Sequence, residues 1–205
     1  MKTQHNSRTR NIAIWACVAV VSISSIIFAA NSPLLEWRDG IYIAASFAGV
    51  IGLSLLLLQP LLAARLLPGL SALSSRLVHR WTGAALLSCV VIHVIGLWIT
   101  SPPDVIDALL FVSATPFSIW GVIAMWSVLI TAILVIFRRS LSIRARTWQV
   151  THRALAIITV IGTVVHAILI EGTMEVVSKT VLCGLLILAT ALAMSRRIRV
   201  RLKWR

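Results

Sequence analysis

Charge is scarce in this chain of 205 residues: 12% are Asp, Glu, Lys or Arg, and only six of those are acids. A soluble domain carries about 25% charged residues. With 59% apolar residues and a mean hydropathy of +0.97, such a domain is excluded. Cysteine is also sparse. Cys17, Cys89 and Cys183 form no CxxC pair and all fall in apolar runs. That excludes a disulfide framework and a thiolate metal site and leaves them as small packing residues. No GxGxxG follows a strand-like run, no phosphate-binding loop is present, and the polar connections are too short to fold a nucleotide site. Low-complexity tracts and interdomain linkers are missing, and only about ten residues at each end lie outside the apolar runs.

What the chain has instead is hydrocarbon. Apolar runs lie near 11–30, 40–59, 77–100, 117–137, 148–170 and 177–194, each close to the roughly 20 residues that span a bilayer as a helix. The fold class expected is all-α: a polytopic membrane protein in which six transmembrane helices form one bundle and one domain over 1–205. The first run has a competing reading as a cleaved secretory signal, since a basic start, an apolar stretch and FAANS follow one another. However, Asn11 to Ala30 is longer than the usual signal core of about 7–15 residues. A retained first helix also gives the even number of spans that two termini on one side require.

The excess of cations sorts by loop. Seventeen of the nineteen Lys and Arg residues flank alternate ends of the runs: Lys2, Arg8 and Arg10; Arg65, Arg76 and Arg80; Arg138, Arg139, Arg144, Arg146 and Arg153; and Arg196, Arg197, Arg199, Arg201, Lys203 and Arg205. The opposite ends hold Arg38, Lys179 and all six acids, Glu36, Asp39, Asp104, Asp107, Glu171 and Glu175. The positive-inside rule then places both termini in the cytoplasm of a cell whose inner, plasma membrane the chain spans. Trp37, Trp98 and Trp120 near the outer ends, and Trp81, Trp148 and Trp204 near the inner ends, suit interfacial indoles. The net charge of +13 thus reads as topology and contact with anionic lipid, not as nucleic-acid binding.

Four of the five histidines form a repeat. HRWTGAALLSCVVIH spans residues 79 to 93 and HRALAIITVIGTVVH spans residues 152 to 166. Fourteen residues at about 100° each bring both histidines of a copy to within roughly 40° of one helix face. The rise is about 21 Å, against a hydrocarbon thickness near 30 Å. His79 and His152 therefore share an inner level, and His93 and His166 an outer one. Facing imidazoles at each level suit axial ligation of two b-type hemes, one iron between His79 and His152 and the other between His93 and His166. Competing readings are interhelical hydrogen bonding, a proton relay and another metal. Zinc fits poorly, because it takes about four ligands within roughly 2.3 Å and these imidazoles are split between two depths.

Neighbouring residues extend this reading. Arg80 and Arg153 follow the inner histidines, with Arg76 and Arg146 near them, and would meet the propionates of an inner heme. Their other reading is positive-inside anchoring. Gly83, Gly96 and Gly162 lie three or four positions from a histidine, where glycine lets a porphyrin approach the backbone or simply suits a membrane helix. Trp98, Trp120 and Trp126 offer electron paths or, alternatively, interface anchoring and packing.

Over about residues 40 to 194 the chain resembles the ferric reductase-like transmembrane domain, the six-helix heme-binding core of ferric reductases and NADPH oxidases. That core is related to the heme subunit of the periplasmic methionine sulfoxide reductase. The residues that carry the resemblance are the two histidine pairs on the third and fifth helices, and RTWQVTHRALAIITVIGTVVH is similar to the matching helix of the sulfoxide reductase subunit. That subunit lacks the inner histidine supplied here by His79, so the four-histidine pattern stands nearer the reductases and oxidases. The larger reductases continue into flavin and nicotinamide domains, and this chain ends at Arg205 with no FAD or NAD site.

The resemblance implies a di-heme cytochrome that takes electrons from a separate donor, a flavin reductase or a quinol, and delivers them to an acceptor protein at the outer face. In the alternative it is an oxidoreductase that reduces ferric iron or oxygen directly at the outer heme, still without its own NAD(P)H site. A third reading is a transporter or assembly factor without redox function. The stretch ITSPPDVIDALLFVSATPFSIW has room for a short surface helix, and Asp104, Asp107, Glu171 and Glu175 make the outer face acidic.

Overall fold

The computed structural model describes the backbone of residues 2–202 and the side chains of residues 8–196. Lys203, Trp204 and Arg205 lie outside the described residues, as do the side chains of Lys2, His5, Arg197, Arg199 and Arg201. Among the described residues the regular structure is helical throughout. There are seven α-helices, α1 (Lys2–Ala30), α2 (Gly40–Ala63), α3 (Ala72–Thr100), α4 (Pro102–Leu109), α5 (Pro116–Phe137), α6 (Ala145–Leu169) and α7 (Val176–Leu202), with one 3-10 turn at Pro33–Leu35. All but α4 are long and apolar enough to cross a bilayer. The chain is a multi-pass membrane protein of the expected class, and α4 is the short helix for which the connection between the third and fourth runs has room.

The helices overrun the apolar stretches for local reasons. On α3 the helix begins at Ala72 because the Ser71 hydroxyl accepts from the Ser74 N–H at 3.0 Å. On α2 it continues past Pro60 to Ala63, and the carbonyl of Pro60 still receives the N–H of Ala64 at 3.0 Å. Three turns then end helices with a residue in the left-handed region and an amide reaching five residues back. Arg65 (φ 53°) is followed by Leu66 N–H to Leu61, Phe111 (φ 60°) by Val112 N–H to Asp107, and Ser142 (φ 47°) by Ile143 N–H to Arg138. These bonds satisfy terminal carbonyls that hydrocarbon cannot.

The bundle is built from two close helix hairpins, α2 with α3 and α5 with α6, backed by α7, which packs against α2 and α6; α1 lies on α7 and α2. Apolar packing concentrates where α7 meets the hairpins, through Leu53, Leu57, Leu86, Leu182 and Leu186. Apolar side chains exposed along the spans face hydrocarbon and need no protein cover. Within the first hairpin the Gln59 amide donates to the Thr82 hydroxyl at 2.9 Å, and the Ser75 hydroxyl donates to the Leu62 carbonyl at 2.7 Å. Among the described residues α3 and α6 pack against each other far less closely than either does against its hairpin partner. These are the helices that carry the histidine repeats, and the two hairpins approach each other most closely where α3 passes α5.

Candidate functional site

Both expected histidine pairs form. The imidazole centroids of His79 and His152 lie 6.3 Å apart with their planes crossed at 85°, and those of His93 and His166 lie 6.5 Å apart at 81°. A metal held axially between two such rings needs two bonds of about 2 Å each plus the half-widths of the rings, close to 6 Å between centroids. Both levels meet that requirement. The four rings group two by two, and among the described residues no three His, Cys, Asp or Glu side chains come together as a metal cluster. Two imidazoles by themselves would not complete a metal's coordination, and such a pair would suit a metal whose other positions a macrocycle fills.

The outer-level rings are held by a repeated device. Nδ1–H of His93 donates to the carbonyl of Ala45 on α2 at 2.8 Å, and Nδ1–H of His166 donates to the carbonyl of Phe117 on α5 at 2.9 Å. A carbonyl only accepts, so Nδ1 carries the proton and Nε2 keeps a lone pair with which it could bind a metal. This is the support expected around ligating histidines. One turn along each partner helix stands a glycine. A β-carbon on Gly49 would lie 3.1 Å from Nδ1 of His93, and one on Gly121 would lie 2.7 Å from Nδ1 of His166. A methyl group at Gly121 would displace its ring, and one at Gly49 would press on its ring by a few tenths of an ångström. Phe117 adds an edge contact to His166, with centroids 5.7 Å apart.

Around this outer pair lies a cavity of about 460 Å³, walled by α2, α3, α5 and α6 and reached by α4 and the start of α7. Its wall is mainly apolar, with hydroxyls of Tyr42, Thr100 and Ser118 among the polar groups. Besides the two histidines it carries one acid, the exposed Asp104, and one lysine, the buried Lys179.

At the inner pair, His152 is stacked. The Trp148 ring lies on His152 with centroids 5.1 Å apart and planes only 16° from parallel, and the Arg138 guanidinium lies 5.1 Å from the Trp148 ring centroid. A column of three planar groups thus runs from an exposed arginine to the inner pair. Of the arginines expected beside these histidines, Arg80 is exposed on α3 and Arg153 is half-buried on α6 with its Nε withdrawn from the surface. Arg76 and Arg146 are exposed.

Several site residues escape a reading of the sequence. The glycines noted there serve the helix hairpins: a β-carbon on Gly96 would lie 2.6 Å from that of Ala45, one on Gly162 would lie 2.9 Å from the Trp120 carbonyl, and Gly83 faces Gln59. The glycines that touch the histidines are Gly49 and Gly121. Their signal is an offset: positions 49 and 93 are 44 apart, and positions 121 and 166 are 45 apart. Trp148, four residues before His152 and read from the sequence only as an interfacial indole, is the tryptophan stacked on a site residue. Lys179, counted with the loop cations, is buried on the first turn of α7.

Fold and site together define a class, a polytopic helical membrane protein with histidine pairs at two depths. The chain matches the family described as Ferric reductase like transmembrane component over residues 48–171, more than half its length and inclusive of all four histidines, and it belongs to that family. Membership points to redox electron transfer in a membrane, and the family typically binds heme. Neither a curated protein nor a solved structure matches the chain.

Proposed function

We propose that the protein is a b-type di-heme cytochrome that carries electrons across the membrane, from a cytoplasmic or quinol donor to an acceptor protein at the outer face. The observation that carries this reading is the pair of imidazole separations, 6.3 and 6.5 Å, at two levels about 21 Å apart by helix rise. Heme bound at each level would supply a one-electron ferric/ferrous couple.

The residues of the chain do the rest. His79 and His152 hold the inner iron and His93 and His166 the outer one, with Ala45 and Phe117 fixing the outer tautomers. The histidines sit on α3 and α6, whose positions are set by packing against α2 and α5. Arg80 and Arg153 meet the inner propionates, and Arg138 with Trp148 forms the surface through which a donor reaches His152. Both termini face the cytoplasm, in keeping with the cation distribution, and the exposed Asp104 contributes to an acidic outer face. The donor and acceptor are separate proteins or a quinol.

Proteoliposomes test the function. With ferricyanide trapped inside and an impermeant reductant outside, the wild-type protein should reduce ferricyanide, and His93→Ala should not. Reduction no faster than in protein-free vesicles contradicts the proposal. Direct reduction of oxygen or ferric chelates by the reduced protein, at rates no partner exceeds, would favour the terminal reductase instead.

A further inference from the structure

Among the described residues Lys179 is the only acidic or basic side chain that is buried, at 6% exposure. It stands on the first turn of α7 and lines the cavity that holds His93 and His166. Its ammonium donates to the carbonyl of Ile170 at 2.8 Å. Ile170 lies one turn beyond His166, and its own N–H returns to the His166 carbonyl at 3.1 Å. The cation therefore sits one turn outward from a ring of the outer pair.

Such a position is costly for a charge. An ammonium has three N–H donors, and a neutral carbonyl compensates it poorly for water lost at membrane depth. The acid whose field reaches it, Glu175, is exposed, and its two carboxylate oxygens already receive the N–H groups of Val177 and Ser178 at 2.8 Å each. Asp104, the acid of the cavity wall, is exposed and accepts from the Ser101 hydroxyl. The other cation at this end, Arg38, is exposed and lies 4.7 Å from the Tyr42 ring centroid. A buried cation in the wall of a cavity calls for an anion beside it.

Resting on the heme reading above, we infer that Lys179 is the seat for a propionate carboxylate of the group held between His93 and His166. The two levels then differ in kind. The inner heme meets arginines at a surface rich in cations, while the outer heme meets one buried lysine beneath an acidic face. That single ammonium stabilises the ferrous form of the outer heme, where one less positive charge resides on iron, and raises its potential. It also orients the group, because a carboxylate seated there fixes which edge of the porphyrin faces outward.

Optical redox titration of the purified protein tests this, with the outer component identified as the one missing from His93→Ala. Lys179→Met should lower the outer midpoint and speed loss of outer heme to excess apomyoglobin, leave the inner component in place, and be largely reversed in Lys179→Arg. An unchanged outer midpoint and release rate in Lys179→Met overturns the inference. A second measurement needs no variant: wild-type protein reconstituted with hemin dimethyl ester should release the outer group faster than with hemin. Equal release overturns the inference even if the variants fail to fold. Absence of heme from the wild type at both levels would instead refute the proposed function on which it rests.

Discussion

Gly121 and His166 touch across the α5–α6 hairpin so closely that a β-carbon on residue 121 would lie 2.7 Å from Nδ1 of the imidazole. Glycine to alanine in an open helix is favourable by about 1 kcal/mol, whereas a clash in a packed site costs about 1–3 kcal/mol. The clash wins at Gly121. Gly121→Ala should therefore lose outer heme, Gly49→Ala, with its 3.1 Å approach, should lose less, and Gly184→Ala, where nothing lies within 4 Å, should be neutral or stabilising. Heme per chain and thermal unfolding in detergent, measured on all three, check the order.

Ligand replacement should act by level. His93→Ala or His166→Ala is expected to halve the heme content and leave the inner component of the redox titration, and His79→Ala or His152→Ala should do the converse. Pyridine hemochrome counts on the four variants read this directly. Equal loss of both hemes from every variant contradicts two separate sites.

Trp148→Leu should keep both hemes and slow reduction of the inner one. The ring lies 5.1 Å from His152 and nearly parallel to it, and such aromatic contacts contribute about 0.5–1.5 kcal/mol beyond buried area, too little for its loss to empty the site. Stopped-flow reduction by a soluble flavin donor should be several-fold slower than in wild type. Trp126→Leu, altering a tryptophan exposed on α5, should match wild type.

Glu175 gives the protein an acid sensitivity at the start of α7. The N–H groups of Val177 and Ser178, received at 2.8 Å each, hold its carboxyl below the ordinary value of 4.5. A carboxyl lowered on folding adds stability above its unfolded value and loses it as pH falls through the folded one. Glu175→Ala should therefore unfold at a lower temperature than wild type at pH 7. The gap should close as pH drops below about 4.5. A gap that widens in acid contradicts the assignment.

Much of this was legible in the sequence because membranes simplify it. Apolar length set the six spans, and the fourteen-residue spacing set both the face and the depth of His79, His93, His152 and His166. Tertiary approach was not legible. Nothing in the local pattern at Gly49 or Gly121 differs from a glycine that merely tolerates lipid, and their role depends on which helix pairs with which. The same holds for Lys179: on its own it is a loop cation near a helix start, and only the fold of α7 against α6 turns its ammonium inward to Ile170. The helix ends ran longer than expected because Ser71 and the left-handed turn at Arg65 are set by hydrogen bonds, not by hydropathy.

Electron paramagnetic resonance of the oxidised protein tests the central claim most directly. Imidazole planes crossed at 85° and 81° predict two low-spin ferric signals of the strongly axial type given by perpendicular ligand planes, with one removed by His79→Ala and the other by His93→Ala. A sample with no low-spin ferric signal, or with low-spin signals that survive both replacements, would contradict the assignment of these four histidines.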